Sequence, residues 1–161
     1  MDYYNIEHLI QEARWNRLTR RSLLQKNFKY DNDPGIYILT QSEIDLSNSQ
    51  VDIQEIIYVG ISNSQNGVRG RLRQFLNSIE NKIESGEIKQ FSRESMRESE
   101  YSNHSMPQHF YYCVFCLSCN VERGKREYND LLTMGDIARL HYLFLAHIKK
   151  TLGREPILNL T

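Results

Sequence analysis

Pro34-Gly35-Ile36-Tyr37-Ile38-Leu39 and Ile56-Ile57-Tyr58-Val59-Gly60 are the two stretches on which the fold of this chain turns. Each is a short run of β-branched and aromatic residues, the composition that fits a pleated, half-buried surface. The first is launched by Asp31-Asn32-Asp33-Pro34-Gly35, where proline fixes φ and glycine is free to take positive φ. The second ends at Gly60, and a polar loop through Ser47, Asn48 and Ser49 lies between them. Two such runs joined by a polar loop read as an antiparallel pair.

On the C-terminal side, Val68, Leu72, Phe75, Leu76 and Ile79 recur at helical spacing, with Arg69, Arg71 and Arg73 near the start of that helix. His109 to Leu117 is the strongest strand signal of the chain and is expected to be central. Ile137, Leu140, Leu143, Phe144, Ala146, Ile148 and Leu152 define a long helix closed by Gly153. On the N-terminal side, Ile6, Leu9, Ile10 and Ala13, continuing to Leu18, Leu23 and Leu24, predict one amphipathic helix. Its other face carries Arg14, Arg17, Arg20 and Arg21, followed by Lys26 and Lys29. Such a face is either simply solvated or a contact to phosphates. The expected organisation is α+β: a small mixed or antiparallel sheet of about three strands with helices packed on it. Residues 1–30 form a basic helix packed on the domain, and residues 31–161 form the domain itself. Within it, 81–108 is a polar insertion of Glu, Ser, Arg, Lys and Asn with too few apolar residues for a core of its own.

Composition narrows the function classes. The 161 residues carry 20 Lys plus Arg against 20 Asp plus Glu, and 40% are apolar, an ordinary single domain able to build a core without staples. No apolar run approaches a membrane span, and the polar start Met1-Asp2-Tyr3-Tyr4-Asn5 is not a secretion signal. Zero net charge argues against a protein that coats nucleic acid, while leaving room for a small basic site. Cys113, Cys116 and Cys119 are an odd number in one segment, which points to a reducing cytoplasm rather than a disulfide framework. Their intervals, with His104 and His109 nearby, invite a zinc reading. Strand alternation opposes it, because Cys113 and Cys116 would point to opposite faces.

Gly35-Ile36-Tyr37 on one strand, Tyr58-Val59-Gly60 on the next, Arg71 on the following helix and the ending Pro156-Ile157-Leu158-Asn159 together resemble the GIY-YIG nuclease family. The resemblance covers Pro34 to Thr161 apart from the insertion, and the order strand, strand, helix, strand, helix agrees with it. It implies a metal-dependent endonuclease hydrolysing DNA phosphodiester bonds. Tyr37 would be the general base or its relay, Tyr58 would position water or phosphate, and Arg71 would clamp the phosphate with its planar charged fork. Asn159 would fix the geometry of the site, Gly60 would permit close approach, and Arg69 and Arg73 would add substrate contacts.

The chain departs from the family pattern at two positions. Where the family carries a metal-binding glutamate, the best match is His141. The resemblance implies Mg²⁺ or Mn²⁺, whereas imidazole favours a softer ion, so His141 either changes the metal or removes it. A shift of one turn would instead offer Asp136, Glu127 or Glu155. Phe75 stands where many family members have a histidine. The functional expectations are thus an endonuclease, a catalytically degenerate nucleic-acid-binding relative, or an interaction domain that binds a protein through the insertion.

Overall fold

The computed structural model describes residues 5–24, 33–84 and 109–160. Its centre is strand β2 (Gly35–Ser42), paired antiparallel with β3 (Tyr58–Ser62) on one side and β4 (His109–Cys116) on the other. The short strand β1 (Asn16–Arg17) adds to the far side of β4, giving a four-stranded sheet of order β1-β4-β2-β3. Every pairing in it is antiparallel. The mixed α+β class is as expected. The sheet gains a fourth strand, and β2 rather than the aromatic β4 lies deepest, with its first six residues all buried.

The fourth strand comes from a segment expected to be helical. Instead of one helix from Ile6 to Leu24, the chain forms α1 (Ile6–Glu12), an extended stretch through β1, and α2 (Arg20–Leu24). Tertiary pairing overrides helical spacing here. Trp15, wholly buried, exchanges backbone hydrogen bonds with Asn48 and Ser49, and Leu18 N–H donates to the Phe110 carbonyl. The expected basic face is dispersed as a result. Arg14 donates to the Gln11 and Ala13 carbonyls, and Arg17 bonds the His109 ring. Lys26 and Lys29 lie outside the described residues, as does the insertion beyond Glu84, since 81–84 continue the helix that precedes it.

Side-chain alternation along the strands sorts the core into two layers. Ile36, Ile38, Val59, Tyr111 and Cys113 face α1 and the long helix α4 (Tyr128–Leu152), which contributes Ile137, Leu140, Phe144 and Ile148. Tyr37, Leu39, Ile57, Phe110 and Tyr112 face α2 and α3 (Gly67–Glu84), which contributes Val68, Leu72 and Ile79. Cys116 packs in this second layer, so it and Cys113 sit on opposite faces.

Helix ends are closed locally. Asp130 at the start of α4 accepts from the Glu127 N–H at 2.8 Å, and Gly153, at φ 76°, donates its N–H to the Lys149 carbonyl. The left-handed conformation at that cap favours glycine.

Candidate functional site

One hydrogen bond ties the start of α3 to the residues that launch β2: Val68 N–H donates to the Asp33 carbonyl. Leu117 N–H, just past β4, donates to the neighbouring Pro34 carbonyl. Arg71 then stands one turn into α3. Leu72 beside it is wholly buried, whereas Arg71 is exposed.

Tyr37 and Tyr58 belong to neighbouring strands and project to the same layer, with ring centroids 5.9 Å apart and planes at 48°. The two phenols are close enough for Tyr58 to act on the Tyr37 hydroxyl. Burial pushes the Tyr37 phenol well above its ordinary value, and Tyr58 adds to the rise. The Arg71 guanidinium pulls in the other direction. Tyr37 is therefore a neutral phenol at any working pH, within the field of a permanent cation.

Gly60 is what makes this arrangement fit. It pairs with Tyr37 across the ladder, and a Cβ at Gly60 would lie 2.3 Å from Tyr37 Cζ and 2.5 Å from its hydroxyl. The Tyr37 ring lies over the bare Gly60 backbone, and any other residue there would displace it.

Asn159 lies in the short 3-10 turn Ile157–Leu160 and mimics a strand beside β3. Its Oδ1 accepts the Val59 N–H at 2.8 Å, and its Nδ2 donates to the Val59 carbonyl at 2.8 Å. Leu158 N–H reaches the Ile57 carbonyl at 2.9 Å. The amide of Asn159 is thus spent on the outer edge of β3 at the residue between Tyr58 and Gly60. It holds the site in place rather than touching a substrate.

His141 converges on the same backbone group from α4, with Nε2 3.2 Å from the Val59 carbonyl, and its ring meets Tyr142 edge-on. Nε2 must carry the proton to bond a carbonyl, so that nitrogen is not free to ligate an ion. Among the described residues no group of three or more His, Cys, Asp or Glu side chains could hold a metal ion. Asp136 and Glu127 are exposed, one on α4 and the other just before it, and neither joins His141 in such a group.

The remaining expected residues are divided by helix geometry. Arg69 and Arg73 are one turn apart on α3, whereas Arg71 stands about 200° around the helix from each at about 100° per residue. Arg69 Nε donates to the Leu23 carbonyl of α2. Arg73 lines a shallow cavity of about 290 Å³ with Arg20, Leu23, Leu24 and Leu76. Both thus serve the α2–α3 contact, and Arg71 is the one whose charge acts on Tyr37. Phe75 packs edge-on against Phe110, with centroids 5.3 Å apart.

Sequence reasoning did not find the Val59 backbone as the shared anchor of Asn159 and His141, because a main-chain group carries no residue signal. No family model, curated protein or solved structure matches the chain.

Proposed function

We propose that the chain is an endonuclease of the GIY-YIG type that hydrolyses a phosphodiester bond of DNA. The observation that supports this reading is the close pair of Tyr37 and Tyr58, ring centroids 5.9 Å apart and within the field of Arg71, with a glycine where any Cβ would displace the Tyr37 ring. Packing alone asks for apolar contacts at these positions. It does not ask for two coupled hydroxyls next to a cation.

Arg71, exposed and planar, would meet two phosphate oxygens and take up the charge that grows on them as the bond to the leaving oxygen breaks. The tyrosine pair would orient the water whose oxygen forms the new bond to phosphorus. Since Tyr37 stays neutral, it would act as a relay in the hydrogen-bond chain, and the water's proton would pass to solvent rather than rest on a tyrosinate. Gly60 and Asn159 would hold both hydroxyls in register.

A second reading, a nucleic-acid-binding relative that does not cleave, is favoured by one observation: His141 commits Nε2 to the Val59 carbonyl where the resemblance calls for a carboxylate. Supercoiled plasmid separates the two. The purified chain, assayed with Mg²⁺, Mn²⁺, Ni²⁺ and Zn²⁺ and with chelator, is expected to nick it, and Arg71→Ala to abolish nicking. Salt-sensitive DNA binding with no nicking under any condition would favour the second reading, and His141→Glu would then be expected to bring Mg²⁺-dependent nicking.

A further inference from the structure

Helix α4 has two apolar faces. Ile137, Leu140, Phe144 and Ile148 are buried against the sheet, as one face of a surface helix should be. On the opposite side, where charge is the rule, Tyr128 is 74% exposed, Leu131 50%, Leu132 52% and Tyr142 70%. At about 100° per residue these four fall within roughly 60° of the direction of Gly135, diametrically opposite the buried stripe. Gly135 itself has no internal reason: nothing lies within 4 Å of where its Cβ would be, and its φ is not in the left-handed region. An exposed glycine in mid-helix weakens the helix unless something outside approaches closely.

The two tyrosines are symmetric about that glycine, Tyr128 and Tyr142 each standing seven residues from it. We propose that this face is the contact with a second copy of the chain, with two α4 helices packed antiparallel and crossing at Gly135. A twofold axis there sets Tyr128 of each copy against Tyr142 of the other, and Gly135 against its own equivalent, where two bare backbones can come close. Charge agrees with this polarity. Asp136 and Arg139 lie on the same side of Gly135 around the helix, and an antiparallel twofold keeps them on that side in both copies, so opposite charges of the two copies gather along one edge of the contact. The area sets the strength. The two tyrosines alone expose on the order of 300 Å² per copy, and with the leucines the face covers about half of the roughly 800 Å² per partner of a standard interface. The dimer is accordingly weak, with dissociation in the micromolar range, and depends on concentration.

Sedimentation equilibrium of the full chain from micromolar to near-millimolar concentration tests this directly. The wild type is expected to show a monomer–dimer equilibrium. Gly135→Arg, which meets no internal neighbour, is expected to raise the dissociation constant at least about tenfold with an unchanged circular dichroism spectrum. Tyr142→Glu is the second variant, with the same expectation. Gly135→Cys is expected to form an oxidised covalent dimer, and Tyr128→Cys is not, since only position 135 faces itself. A wild type that stays monomeric throughout, or a dimer indifferent to Gly135→Arg and Tyr142→Glu, would overturn the proposal. Neither outcome depends on whether the chain cleaves DNA.

Discussion

Gly60 shows how a single missing carbon sets the position of a functional group. Its Cβ would lie 2.3 Å from Tyr37 Cζ, closer than such atoms ever come, and the ring is boxed in by its burial. Gly60→Ala is therefore expected to displace the ring and cost about 1–3 kcal/mol, the usual penalty of overpacking. Tyr37→Phe keeps the ring over Gly60 and removes only the hydroxyl, which is expected to cost less than about 1.5 kcal/mol. Urea unfolding of the two variants checks the order, and a Gly60→Ala protein as stable as wild type would mean that the ring has room to move. The tyrosines, Gly60 and Arg71 were all legible in the sequence as residues. Their coupling was not, because whether two hydroxyls meet depends on the pairing of Tyr37 with Gly60 across the ladder, and a sequence carries no register.

At the scale of elements, the last turn of the chain does for β3 what a fifth strand would do. Asn159 gives the Val59 backbone both an acceptor and a donor, and His141 adds a second donor to the same carbonyl. Replacing Asn159 by Ala leaves the Val59 N–H without that partner at a strand edge, which is expected to cost about 1–3 kcal/mol. Amide exchange reports it locally: the Val59 N–H should lose protection in Asn159→Ala, while amides in β4 keep theirs. Equal protection in both proteins would show that the anchor is dispensable. The elements that sequence pattern located well are those whose periodicity serves one buried face, namely β2, β4, α3 and α4, whereas β3, expected over Ile56–Val59, runs from Tyr58 to Ser62 with Gly60 at its middle. The pattern failed between Ile6 and Leu24, where helical spacing was real but Trp15 and Leu18 gain more by pairing with Ser49 and Phe110 than by continuing the helix.

Over the whole molecule, the sheet divides the core so that Cys113, buried, and Cys116, partly buried, pack on opposite faces. Burial pushes the Cys113 thiol up to about 11 and the Cys116 thiol up to about 12, from an ordinary value of 9.0. In the unfolded chain both ionise near the ordinary value, so the unfolded state loses protons first as pH rises. Stability is then fully present below about pH 9 and declines as pH climbs toward the folded values. The urea midpoint of the wild type is expected to fall between pH 8 and pH 11, and Cys116→Ala to lessen the fall. A midpoint independent of pH over that range would contradict the burial of these thiols. The same two-sided packing leaves the outer face of α4 bare while placing its His141 at β3, so one helix serves the site from one side and presents Tyr142 from the other. No helix among the described residues is long and apolar enough to cross a membrane.

The central claim is that Tyr37 and Arg71 act on a phosphodiester, and the most direct measurement is the single-turnover rate of plasmid nicking by wild type, Tyr37→Phe and Arg71→Ala, with folding checked by circular dichroism. Arg71 is exposed, so its removal should leave the fold intact while lowering the rate by about 10²–10³, the usual loss of an electrostatic clamp. Tyr37→Phe should lower the rate with the ring still in place. Cleavage by Arg71→Ala and Tyr37→Phe at the wild-type rate would contradict the account.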